Sequence, residues 1–214
     1  MIQLIYCYDA YCGWCYGFGP VIKKIAEKYR GSIGIEVLSG GLIISDRPKH
    51  ISATATYIAD DYKHIESTTG IEFGSDYLWH ILNPDESDWF PDSTKPAIAM
   101  CIFKELFPTL QVVFASELQN ALFAEGRDLC DNEAYRHLLE KYHIDAEDFY
   151  IKLSSELYRD KASYEFALVK RLQVTGFPVV LFQESATRFH LITSGYADFE
   201  TVDERIKEIT AQLG

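Results

Sequence analysis

Two cysteines separated by two residues, Cys12-Gly13-Trp14-Cys15, stand where an apolar run gives way to a helical pattern. The run from Ile2 to Tyr8 reads as a strand. Beyond the cysteines, Val21, Ile22, Ile25, Ala26 and Tyr29 recur at the spacing that puts one apolar face on a helix. A dithiol at such a junction narrows the folds available. Its first cysteine falls at a helix N-terminus, where free N–H groups and the helix dipole favour a thiolate. Its second lies one turn on, near enough to close a disulfide. The first thiolate can then attack a disulfide and the second can resolve the mixed disulfide. The competing reading is half of a zinc site, which needs two more ligands at matching spacing. There is no second C-x-x-C, and His137 and His143 are too far apart to complete one.

The chain has 214 residues, 48% of them apolar, enough for one full core or one domain carrying an insertion. A net charge of −12 disfavours nucleic acid and anionic membranes as partners. The opening residues Met1 to Tyr6 lack a basic region and a small-residue cleavage site, so a secretory signal is not expected. No apolar run reaches the roughly 18 residues that span a bilayer. The cytoplasm is the expected compartment. Five cysteines do not form a tidy disulfide framework, and Cys7, Cys101 and Cys130 read as packing residues.

After the first helix, with Pro20 expected to kink or break it, Ile33 to Leu38 alternates as a second strand. It pairs in parallel with the first through a right-handed crossover. Gly40-Gly41-Leu42 then forms either an ordinary turn or a close backbone approach to the dithiol. From about 46 to 172 helical patterns dominate. Ile51 to Ile65 forms one stripe, and residues 82–92, with Trp89-Phe90 as anchor, form a loop. Pro96 suits the first turn of a helix capped by Ser93 or Thr94. Asp131 or Asn132 and Asp145 cap two further helices, the second carrying Phe149, Leu153 and Leu157, and a last one covers about 160–172. Val179 to Phe182 is a buried strand, paired antiparallel with Phe189 to Thr193. An amphipathic helix capped by Asp198 closes the chain.

The order βαβ, helical block, helix, ββα resembles the DsbA-like branch of the thioredoxin superfamily. It is most similar there to FrnE-like protein-disulfide oxidoreductases. The resemblance rests on Tyr8-Asp9 followed by Cys12 to Phe18, on Gly40-Gly41-Leu42, on Ala121-Leu122-Phe123 with Gly126-Arg127-Asp128, and on Gly176-Phe177-Pro178. It implies an α/β thioredoxin-like fold, a central mixed sheet flanked by helices, with a large all-helical insertion. Residues 1–45 and 160–214 would form the thioredoxin-like part and 46–159 the insertion.

By the resemblance, Pro178 corresponds to the cis-proline that faces the dithiol. The candidate catalytic residues are therefore Cys12, Cys15 and Pro178. The candidate substrate-binding residues are Gly13, Trp14, Phe177 and Gly41. No metal is expected, and no cofactor beyond the redox-active disulfide, with glutathione a candidate co-substrate. The partners would be a disulfide-bearing protein or a thiol, plus an electron donor or acceptor. Ala10 departs from the Asp-Pro common in the family. Gly13-Trp14 brings no cation, so the strongly oxidising behaviour of DsbA is not implied. Two other functions are open on the same fold. One is an adaptor that delivers clients to a protease. The other is a glutathione-dependent isomerase or transferase, whose members usually carry serine at the position of Cys12.

Overall fold

The computed structural model describes residues 2–213. Four strands, β1 (Gln3–Tyr8), β2 (Gly34–Ser39), β3 (Val179–Gln183) and β4 (Phe189–Ser194), form one mixed sheet in the order β2-β1-β3-β4. The helix α1 (Gly13–Lys28) makes the crossover from β1 to β2, which run in parallel. β1 pairs antiparallel with β3, and β3 with β4. The α2 (Ser52–Thr69), α3 (Ser75–Leu82), α4 (Thr94–Leu106), α5 (Gln111–Phe123), α6 (Arg136–Lys141) and α7 (Ala146–Leu153) helices follow β2. Next come α8 (Glu156–Arg171), the β3–β4 hairpin and α9 (Phe199–Leu213). No helix among the described residues is long and apolar enough to cross a membrane.

β1 is the centre of the sheet, and its side chains alternate between two faces. Leu4, Tyr6 and Tyr8 point into the main core with Phe18, Ile22 and Ile25 of α1. Ile5 and Cys7 point the other way, into a smaller cluster with Leu38, Leu181 and Val169 of α8. β1 is buried on both faces, which is why its sequence reads as a continuous apolar run. On the second face Glu165 of α8 accepts the Ser39 N–H at 2.9 Å and Lys104 Nζ at 2.7 Å. Lys104 also reaches the Val37 carbonyl at 2.6 Å, so this ion pair ties α4 and α8 to the end of β2.

Three features differ from the sequence expectation. α1 runs unbroken through Pro20, which sits on its exposed side. Solvent there can satisfy the carbonyl that loses its partner one turn back. α8 begins at Glu156, with Ser155 capping it through the Tyr158 N–H at 3.4 Å. Leu157 therefore belongs to α8 and not to the face of α7, and it is 63% exposed. The helix expected over about 160–172 therefore starts four residues earlier. α3 was not anticipated at all. It starts at Gly74 without a side-chain cap and buries only Tyr77 and Ile81.

Candidate active site

The link from β1 to α1 is Asp9-Ala10-Tyr11-Cys12, and Asp9 organises it. Its side chain is buried. Oδ1 accepts the Tyr11 N–H at 3.0 Å and the Ser93 hydroxyl at 2.9 Å, while Oδ2 accepts the Leu42 N–H at 2.8 Å. The Asp9 carbonyl takes the Cys12 N–H at 3.1 Å and Gln119 Nε2 at 3.1 Å. One residue thus joins the dithiol link, the loop after β2, and helices α4 and α5. Ser93 was expected to cap α4; its hydroxyl serves Asp9 instead, and Asp92 Oδ1 accepts the Thr94 N–H at 2.7 Å.

Cys12 is the N-cap of α1, and its sulfur accepts the Cys15 N–H at 3.2 Å. Its thiol faces the Phe177 carbonyl at 3.6 Å. Cys15 is wholly buried beneath it. Burial pushes the Cys15 thiol well above its ordinary pKa; the neighbouring Cys12 sulfur adds to this, and the Asp9 backbone N–H opposes it. The two sulfurs are therefore unequal: one caps a helix and borders a cavity, the other lies in a dry core.

The Phe177–Pro178 bond is cis, and Pro178 is buried at the entrance to β3. Gly40 lies against Phe177. A Cβ there would fall 2.0 Å from the Phe177 ring, so only glycine admits the ring. Gly41 has φ +70°, a left-handed turn that directs the Leu42 N–H at Asp9.

A cavity of about 400 Å³ opens beside Cys12. Gly13, Trp14 and Phe177 line it with Cys12. Gly41 does not; its neighbours Leu42 and Ile43 do. Trp14 donates Nε1–H to Asp61 Oδ2 at 3.1 Å and meets His64 edge-on, 5.3 Å between ring centres. Asp61 and Gln119 were not singled out in the sequence, Ser93 was read there only as a candidate helix cap, and Asp9 was noted without a role. Their partners are 47 to 110 positions away, beyond the reach of any local pattern.

The other cysteines are spaced around this centre. Burial pushes Cys7 and Cys101 up to about 12. The half-buried Cys130 has its sulfur 3.4 Å from the Tyr11 hydroxyl, and burial raises it too. Among the described residues no group of three or more His, Cys, Asp or Glu side chains is placed to hold a metal ion.

Tyr6 is buried under the dithiol, and its hydroxyl has no well-formed hydrogen bond. Burial raises its pKa, with the Cys15 and Cys12 sulfurs next in effect. An orphan hydroxyl costs stability, so Tyr6→Phe is expected to leave stability unchanged or raise it by up to about 1 kcal/mol. Chemical denaturation measures this. A loss of more than that size would mean the hydroxyl donates to the Cys15 sulfur.

The pattern of the DSBA-like thioredoxin domain matches residues 3–207. A candidate protein disulfide isomerase from Nitrosomonas europaea superposes with a TM-score of 0.86 at 22% identity, covering 100% of this chain and 99% of its own. Cytosolic disulfide reductase DsbM from Pseudomonas aeruginosa superposes with a TM-score of 0.78 at 25% identity, covering 99% of this chain and 100% of its own. The same reductase with GSH gives 0.75 at 24% identity, over 99% and 100%. No curated protein sequence matches the chain.

Proposed function

The chain belongs to the DSBA-like thioredoxin domain family, and on that premise we propose that it is a thiol–disulfide oxidoreductase or isomerase working through Cys12 and Cys15. The carrying observation is the inequality of the two sulfurs. Cys12 caps α1 at the edge of a cavity, and Cys15 is buried one turn along. Cys12 thiolate attacks one sulfur of a substrate R–S–S–R, forming Cys12–S–S–R and releasing one thiolate, which takes a proton. Cys15 then gives up its proton and attacks the Cys12 sulfur. The second thiolate leaves and the Cys12–Cys15 disulfide closes. Two electrons have passed from the protein to the substrate, and an outside thiol returns them.

Glutathione is the proposed outside thiol, and no other cofactor is invoked. The support is the similarity to DsbM, whose structure is known with GSH. The proposed compartment is the cytoplasm, as for DsbM, with a disulfide-bearing protein or small thiol as substrate. Residues 46–159 are read as the insertion into the thioredoxin-like part. The test is turnover of a small disulfide by purified protein, with glutathione and glutathione reductase compared with thioredoxin and thioredoxin reductase. Faster turnover with glutathione supports the reading. No catalysis with either system overturns it.

A further inference from the structure

Resting on the oxidoreductase reading, we propose that the cavity beside Cys12 selects disulfides carrying an ammonium or guanidinium group on the arm next to the sulfur. The wall is aromatic, with Trp14, Tyr57, Tyr62, Phe73, Tyr77 and Phe177 among its residues. Its single formally charged member is Asp61; no Lys, Arg or His of the described residues lines it. Trp14 holds Asp61 Oδ2 through the indole N–H, and Asp61 makes no other hydrogen bond or ion pair among the described residues. The second carboxylate oxygen is therefore free to meet a ligand. Aromatic faces around one carboxylate are the chemistry that recognises an organic cation, by cation–π attraction and by charge together. The same wall offers no partner and one repulsion to an arm whose only charge is a carboxylate; glutathione, the proposed outside thiol, carries an ammonium beside its carboxylates. Lys63 lies over the Tyr62 ring, 5.8 Å from its centre, but is an exposed residue outside the wall.

The chain's net charge of −12 would draw cations to it everywhere, so the test must separate the cavity from the general field. Three small disulfides serve as probes: cystamine, with two ammonium groups, bis(2-hydroxyethyl) disulfide, which is neutral, and 3,3′-dithiodipropionate, with two carboxylates. Each enzymatic kcat/KM, with dithiothreitol as reductant, is divided by the uncatalysed rate of the same pair. The expected order is cystamine, then the neutral compound, then the dicarboxylate. Asp61→Asn, which keeps an oxygen for the Trp14 N–H and leaves the aromatic wall intact, should lower the cystamine-to-neutral ratio roughly two- to fivefold, the size of one partly screened ion pair. Asp61→Lys should reverse the order. Asp60→Asn, the exposed neighbour on α2, should leave the ratio as it was. Equal normalised rates for the three probes overturn the preference. So does a ratio that Asp61→Asn does not move, or that Asp60→Asn lowers equally. If none of the three disulfides is turned over, it is the oxidoreductase reading itself that fails.

Discussion

Cys12→Ser is expected to abolish disulfide turnover, a fall of at least about 10³-fold, while Cys15→Ser completes the first exchange and stalls before the second. The asymmetry follows from placement. The Cys12 sulfur sits at the N-terminus of α1, accepts the Cys15 N–H at 3.2 Å, and Cys12 lines the cavity beside it. Cys15 has no exposed surface, and its burial disfavours the thiolate until a mixed disulfide forms against it. Without Cys15 the mixed disulfide has no internal thiol in line to release it. Cys15→Ser should therefore accumulate covalent adducts on Cys12, visible by mass spectrometry and removed by dithiothreitol. Cys12→Ser should accumulate none. Adducts formed equally by both variants would show that the sulfurs are interchangeable and would remove the basis for the assigned roles.

The largest effect on stability is expected at Asp9. Asp9→Ala would leave the Tyr11 and Leu42 N–H groups and the Ser93 hydroxyl without an acceptor in a buried setting. At one to three kcal/mol for each stranded group, the cost should reach at least about 3 kcal/mol. For a chain of this size that is a fall of roughly 6–12 °C in Tm. Asn is not a neutral replacement, because its amide NH2 must face N–H donors on one side. A variant within 1 °C of the parent by calorimetry would show that water replaces the carboxylate at little cost.

Asp9 also sets a pH dependence. Burial raises its pKa from the ordinary carboxylate value, outweighing the hydrogen bonds from Leu42, Tyr11, Ser93 and Gly41. A carboxyl with a raised folded-state pKa holds its proton more tightly in the native protein. The stability this gives is fully present below the unfolded pKa and is lost as pH rises through the folded pKa. Asp9→Asn cannot titrate. The advantage of the parent over Asp9→Asn should therefore narrow from acid towards neutral pH. An advantage that widens with pH would mean that the four donors outweigh burial.

Much of this fold was legible because its signals are local. β1, α1 and the dithiol lie within one continuous stretch, and each is marked by residues a few positions apart. Asp145 and Asp198 declare their helices by accepting the Asp148 and Thr201 N–H groups, three residues on in each case. α3 escaped because eight residues give barely two turns, and exposed Trp79 and Leu82 blur its apolar side. Leu157 misled for the opposite reason: it continues the apolar spacing of α7 across the Ser155 cap. The surroundings of the site were the least legible part. The polar contacts of Gln119, Ser93 and Asp61 join residues on different elements. The local pattern assigns Gln119 and Asp61 nothing, and it assigns Ser93 a cap that its hydroxyl does not make. Only packing turns them towards the link before Cys12 or towards Trp14.

The register of β1 has a consequence for how the protein is made. Leu4 lies opposite Phe182, and the Cys12 sulfur faces a carbonyl 165 positions further along the chain. A ribosome adding about 5–20 residues per second needs on the order of 10–30 s to cover that distance. Throughout that interval the nascent strand has only β2 beside it in the sheet, and the Cys12 thiol lacks the segment that faces it. Glutathione or a stray disulfide can reach both cysteines before Phe177 exists. On the proposed function, the centre that exchanges disulfides for other molecules is itself exposed to uncontrolled exchange until the chain is almost finished.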